Sequence, residues 1–313
     1  MRELLEAVEQ AESRGEKAVL VTVVSTIRSA PRQPGAKMLV RADGSFVGSV
    51  SGGCVEADVV ERAKAILAGG EPQLVHYGVA DREAWEVGLS CGGEIDVWLE
   101  TLDPALWREV GSMLAESGHG MLRTDTRSGA KSLEAGVAGE TALGDDGVFS
   151  EFLERPLRLV IFGAVEAAEH LCVYARELGW ATTVVDARAA LATPERLPSA
   201  GQIINAWPEL LEELVDERTA VVTLSHEERF DIPALAAALR AGARYIGAIG
   251  SRRTQERRRE ALAAQGFSAA ELERVHGPAG LDLGGRAPAQ IALSIAAEIL
   301  AETSRQKRTV AVA

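Results

Sequence analysis

Two cysteines lie beside paired glycines: Cys54 in Ser51-Gly52-Gly53-Cys54-Val55-Glu56, and Cys91 in Leu89-Ser90-Cys91-Gly92-Gly93. A glycine pair admits positive φ and leaves no side chain to block a ligand. A thiol on such a turn can be presented to a reacting partner as a nucleophile or a soft metal ligand. The Cys54 loop runs straight into a helical pattern from Val55 to Leu67. There the helix dipole and the first backbone N–H groups favour a thiolate. The competing reading makes each cysteine a small apolar residue packed beside a tight turn. The third cysteine, Cys172, lies in an apolar helical pattern and is expected in the core.

Cations that could meet an anion cluster twice in this acidic chain. Arg28, Arg32, Lys37 and Arg41 follow one another with no acid between them. Arg252, Arg253, Arg257, Arg258 and Arg259 come just after Gly250-Ser251. Arginines at a helix N-terminus oppose the dipole unless an anion sits on the same helix end. Arg252 and Arg253 therefore either hold an anion or belong to a solvated face. The later three are assigned to the solvated face. Ser225-His226, with Asp231 beyond, follows the apolar run Val221–Leu224. His226 is a candidate general acid/base or phosphate ligand, or simply an exposed loop histidine.

A strand-to-helix turn at Leu159-Val160-Ile161-Phe162-Gly163 is the remaining candidate. The dinucleotide fingerprint wants Gly-x-Gly-x-x-Gly/Ala. Here its positions are Gly163, Val165 and Ala168, with Glu166 close behind. Val165 puts a branched side chain where a pyrophosphate would approach, and Glu166 repels it. Asp186 stands about where a ribose-binding acid belongs. The turn is thus a Rossmann turn poorly suited to NAD(P), or a scaffold reused for another ligand.

The elements that must position these residues form an α/β protein. Strands are expected at 18–24, 37–41, 46–50, 73–77 and 94–100, with helices at 1–14 and 55–67, which makes an N-terminal mixed α/β domain over 1–102. Residues 103–155 read as one helix from Pro104 and then short, glycine-rich strand-like pieces, an adaptor or extension of that domain. From 156 to 303, strands at 158–163, 182–186, 203–204, 220–224 and 245–250 alternate with helices. That alternation predicts a Rossmann-like parallel sheet with helices on both faces. A last helix is expected from Ala287 to Glu302, and a disordered tail from 304 to 313.

Composition removes several function classes. The chain has 313 residues and a net charge of −13, so its field repels nucleic acid and anionic membrane surfaces. Three cysteines do not make a disulfide framework. No clean apolar run is long enough to span a bilayer, and residues 1–14 carry too many charges for a signal peptide. A reducing cytoplasm is expected. No His/Cys spacing forms a protein-only metal site, and no nucleophile elbow or Walker loop is present.

Several segments, in order, resemble the xanthine dehydrogenase accessory family (XdhC/CoxI). They are Ser49-Val50-Ser51-Gly52-Gly53-Cys54-Val55-Glu56, Gly88-Leu89-Ser90-Cys91-Gly92-Gly93 and Leu159-Val160-Ile161-Phe162-Gly163-Ala164. Tyr245-Ile246-Gly247-Ala248-Ile249-Gly250-Ser251-Arg252-Arg253 and Gly280-Leu281-Asp282-Leu283-Gly284 complete the set. The resemblance covers nearly the whole chain outside 105–150. It implies a maturation factor that binds molybdenum cofactor (molybdopterin or its dinucleotide), assists exchange of an oxo for a sulfido ligand, and hands the cofactor to a molybdenum hydroxylase apoenzyme. It also implies an accessory role rather than a catalyst in its own right, a cysteine desulfurase as a second partner, and a homodimer. Cys54 would be a thiolate toward molybdenum, with Cys91 completing the pocket. Ser51, Gly52, Gly53, Gly92 and Gly93 would shape it. Arg28, Arg32, Lys37, Gly163, Asp186, His226, Gly250, Ser251, Arg252 and Arg253 would meet the anionic cofactor. The chain departs from the family at Gly163-Ala164-Val165-Glu166, where Gly-Ala-Gly-His is usual, and at Ser225-His226-Glu227, where Thr-His-Asp is common. The weakened turn shifts the expected working site to the N-terminal domain and its interface with the C-terminal one. An NAD(P)-dependent oxidoreductase using His226 is the rival class; an assembly factor with structural cysteines is a third.

Overall fold

The computed structural model describes residues 2–78, 89 and 92–310. Cys91 and Ser90 lie outside the described residues. Contacts divide the chain into two compact units, Met1–Arg155 and Pro156–Ala313.

The first unit contains α1 (Arg2–Ser13), β1 (Ala18–Ile27), β2 (Lys37–Arg41), β3 (Phe46–Gly48), α2 (Glu56–Leu67), β4 (Gln73–Tyr77) and β5 (Glu94–Thr101). It continues with α3 (Pro104–Glu116), β6 (His119–Asp125), β7 (Lys131–Ala135), β8 (Ala142–Leu143) and β9 (Val148–Glu154). The β-branched run in β1 makes it the central strand of a sheet ordered β3-β2-β1-β5-β4. Alternate residues of β1 then serve two cores. Val19, Val21 and Val23 pack with Val59 and Ala63 of α2. Leu20 faces a second core with Trp107 of α3 and Leu122 and Leu153 of β6 and β9. That side is closed by a four-stranded antiparallel sheet, β7-β6-β9-β8.

Buried charges lie between these two sheets. Lys37 Nζ donates to both oxygens of Glu151 at 2.6 Å, and Lys131 pairs with Glu100. Lys37 is 9% exposed. Its ammonium is therefore used inside the fold, which corrects its assignment as an anion ligand. Arg41 of the same basic run lies 4.0 Å from Glu16.

The second unit opens with β10 (Arg158–Phe162), α4 (Glu166–Glu177), β11 (Ala181–Asp186) and β12 (Gln202–Asn205). A 3₁₀ turn (Pro208–Leu210) runs into the short α5 (Leu211–Leu214). Then come β13 (Thr219–Thr223), α6 (Glu228–Arg240), β14 (Tyr245–Ala248), α7 (Arg252–Ala264), α8 (Ala269–Glu273), β15 (Val275–His276) and α9 (Pro288–Val310). The sheet runs β12-β11-β10-β13-β14-β15 with every pair parallel. This is the Rossmann strand order, with apolar cores on both faces. The last helix runs eight residues beyond the expected end at Glu302. Cys172 is fully buried in one core, and burial pushes its thiol up to about 12.

Candidate functional site

The Cys54 loop is built around one carboxylate. Glu56 Oε1 accepts hydrogen bonds from Ser49 Oγ at 2.7 Å, Ser51 N at 2.9 Å and Val50 N at 3.2 Å. Its Oε2 accepts from Gly53 N at 2.8 Å and from Ser51 Oγ. Burial pushes this carboxyl up, but the hydroxyls of Ser51 and Ser49 and the surrounding N–H groups pull it further down, to about 2. Ser51 Oγ in turn accepts from the amides of Cys54 and Val55, both at 2.9 Å.

This wiring corrects two expectations. Ser51 is 1% exposed, and its hydroxyl is committed to forming the loop rather than to meeting a ligand. The amides of Gly53, Cys54 and Val55, next to the thiol, are already used by Glu56 and Ser51. Glu56 and Asp58 also place acids in the first turn of α2, against its positive end. What the loop does provide is presentation. Gly52 and Gly53 have positive φ, and Cys54 is exposed.

The second glycine pair comes to the same place through the segment between β1 and β2. A Cβ on Gly93 would meet the Ser29 carbonyl oxygen at 2.1 Å, so only glycine fits there. A Cβ on Gly52 would sit 3.7 Å from Pro31. Residues 28–32 therefore touch both glycine loops, and they carry Arg28 and Arg32, both exposed. Arg28 holds a left-handed φ of 63° and reaches Glu94 only at 4.0 Å. The sequence suggested these parts separately; the structure brings Cys54, Gly52, Gly92-Gly93, Arg28 and Arg32 to one side of the first unit.

The carboxyl edge of the parallel sheet collects the other candidates. A Cβ on Gly163 would lie 2.7 Å from Ser225 N, so the turn after β10 packs directly on the end of β13. Asp186 is fully buried and has no valence left for a ribose. Its Oδ2 accepts from Ala164 N and Arg188 Nη2 at 2.7 Å, and its Oδ1 from Arg188 N and Nε. Burial raises its carboxyl; Arg188 and the Ala164 amide outweigh burial and hold it below its usual value. This corrects its role as a cofactor ligand. Arg188 also pairs at 2.9 Å with Glu227. His226 is exposed at φ 60°. Val165 caps α4 without a side-chain bond, and Glu166 points outward at 74% exposure. Asp186 is thus already bonded to the Ala164 amide of the turn and to Arg188.

Beyond β14, Gly250 has positive φ and Ser251 caps α7 through Thr254 N. Arg252 and Arg253 are exposed and form no ion pair among the described residues. The solvated face expected for the later arginines holds for Arg257, which pairs with Glu228, and for exposed Arg259. It fails for Arg258, which is 2% exposed and bound to Asp231, itself bonded by Ser225 Oγ at 2.6 Å. The available signal was register: Arg258 lies four residues before Leu262, on the inward face of α7.

Comparison with known proteins follows both units. The model of the XdhC and CoxI family matches residues 11–78, and that of the XdhC Rossmann domain matches residues 159–299. A protein of Escherichia coli K12 named molybdenum cofactor insertion chaperone PaoD is 32% identical over 303 residues, covering 95% of this chain and 87% of that one. The chain belongs to the XdhC and CoxI family. Another relative, in Bacillus subtilis 168, is named as a probable subunit of xanthine dehydrogenase; it is 28% identical over 93% of this chain and 94% of its own. A crystal structure from Bacillus halodurans, described as a xanthine dehydrogenase, matches with a TM-score of 0.82 at 25% identity, over 96% of each chain. For this XdhC/CoxI member, two geometric facts bear on cargo. The exposed cysteine and two exposed arginines share one side of the first unit, whereas Asp186, at the Rossmann turn, is bonded by Arg188 and the Ala164 amide. No described helix is long and apolar enough to cross a membrane.

Proposed function

We propose that this protein is a maturation chaperone for a molybdenum hydroxylase, with molybdenum cofactor as its cargo. The strongest support is its likeness, over 95% of its length, to a chaperone named for inserting that cofactor. The donor set fits the cargo. A soft thiol at Cys54 suits a molybdenum–sulfur centre, and Arg28 and Arg32 suit the phosphate of the pterin. Cys91, beside Gly92, supplies the second thiol. Glu56 holds the Cys54 loop open so that the thiol faces solvent rather than core. Arg252 and Arg253 offer further cations at the N-terminus of α7 in the second unit. A cysteine desulfurase is the partner that supplies sulfur, and a molybdenum hydroxylase apoenzyme is the partner that receives the cofactor. The protein works in the cytoplasm as a homodimer.

Released and oxidised pterin gives the test. Protein purified from cells that make the cofactor should yield pterin fluorescence, and Cys54→Ala or Cys91→Ala should lower the yield several-fold. Cys172→Ala, deep in the core, should leave it unchanged. Equal yields from all three variants would remove the thiols from the site. Absence of pterin, together with protection from unfolding by NAD(H), would replace the chaperone reading with the oxidoreductase one.

A further inference from the structure

Within the second unit, a cavity of about 320 Å³ opens between α6, α7, α8 and the segment after β15. Nothing in the cofactor reading uses it, apart from Arg252 at its rim. Its walls are apolar, from Leu235, Leu262, Leu272 and Val275. Its polar lining is Arg252, Gln255, Glu256, Arg258 and Arg259. The size falls in the range of small-molecule sites, which bury a ligand in apolar walls and fix it with a few polar groups.

Charge argues that the cavity has an occupant. Arg258 is 2% exposed, and its Nε is a buried donor without a partner. The rest of its guanidinium is satisfied: Nη1 bonds Ile249 O at 2.5 Å and Gln255 Oε1 at 3.2 Å, and Nη2 bonds Asp231. Asp231 balances Arg258, which leaves Arg252 and Arg259 against Glu256 alone. Neither Arg252 nor Arg259 forms an ion pair among the described residues. Arg257, on the same helix, faces away to Glu228 at 2.9 Å.

We propose that this cavity binds a small phosphorylated molecule whose apolar or aromatic body fills the leucine-lined walls. The phosphate lies against Arg252 and Arg259. Arginine forks match phosphate oxygens in pairs, which gives both affinity and orientation. The apolar walls make inorganic phosphate alone an incomplete ligand.

Titration calorimetry on the full-length chain tests this with AMP, inorganic phosphate and adenosine as probes. AMP should bind more tightly than either of the other two. Arg259→Ala should weaken AMP binding about tenfold or more, the loss of a charge-assisted contact. Arg257→Ala should leave it unchanged. Arg259 is exposed and unpaired, so its variant should keep the wild-type melting temperature. Equal effects of Arg257→Ala and Arg259→Ala, or AMP binding no tighter than phosphate, would overturn the proposal. So would binding that is lost in Arg188→Ala and kept in Arg259→Ala, since that places AMP at the sheet's carboxyl edge. Bound pterin, scored in the same preparations, should survive Arg259→Ala. Its loss would make the cavity part of the cargo site and end the case for a separate one.

Discussion

Glu56→Ala should cost about 3 kcal/mol of stability in the first unit and abolish pterin retention, with Cys54 itself untouched. Five hydrogen bonds end on this carboxylate, from two hydroxyls and three amides. Val50 and Ser51 are at most 1% exposed, so their amides cannot all turn to water. Stranded buried donors cost about 1–3 kcal/mol each, and relaxation of the loop recovers part of that. Glu56→Gln keeps one acceptor oxygen but brings an NH₂ where two donors already point. It should fall between wild type and Glu56→Ala in both stability and retention. If Glu56→Ala retains pterin as wild type does, the loop geometry is irrelevant to cargo.

The same residue sets a pH window. Its folded value of about 2 lies below the usual glutamate value near 4.3. Its contribution is therefore present above the unfolded value and lost as pH falls toward the folded one. A shift of that size corresponds to about 3 kcal/mol. Urea unfolding of wild type and Glu56→Ala should show a constant gap from pH 8 to about 5, closing between about 4.5 and 2. A gap that persists at pH 2 would mean that Glu56 acts through packing rather than charge.

The C-terminal fold was legible because its strands are short apolar runs, most of them separated by helices. Periodicity and the Gly163 turn therefore led straight to the parallel sheet. Residues 103–155 were harder. β9 buries Phe149, Glu151 and Leu153 on one face, and the acid in the middle breaks the apolar alternation that marks a strand. Its partner Lys37 lies 114 residues away, and no local pattern announces a pairing at that range. The Gly-Gly-Cys loop was legible as a turn, but its hub was not. Ser49, Ser51 and Glu56 read separately as a polar loop and an acidic first helical turn, although two hydroxyls set to close on one carboxylate are a readable set. Asp186 was expected to meet a ribose, and the structure shows it bonded within the fold. Its position in the strand is the ribose position, but Arg188, two residues on, satisfies it first.

Asp231 and Arg258 carry the second large effect, and it should be asymmetric. Asp231→Leu leaves a guanidinium buried with no counter-charge, and arginine cannot shed its proton. Removing one partner of such a pair costs about 3–5 kcal/mol. Arg258→Met leaves Asp231 instead, still bonded by Ser225 Oγ. Burial already pushes that carboxyl up, so without arginine it takes a proton and becomes a neutral buried acid. Its cost should be smaller, about 2 kcal/mol, and should grow with pH, because ionising the buried acid is what the variant cannot support. The double variant Asp231→Leu/Arg258→Met removes both charges and fills the volume with apolar atoms. It should be more stable than Asp231→Leu alone, since a buried ion pair gives little net stability over a well-packed apolar pair. Denaturant unfolding of the four proteins at pH 6 and 8 closes the cycle. Additive losses, or an Arg258→Met deficit that does not change with pH, would show that the two side chains are not held together by charge. The arginine that reads as solvated helix surface would then be buried for some reason other than its aspartate.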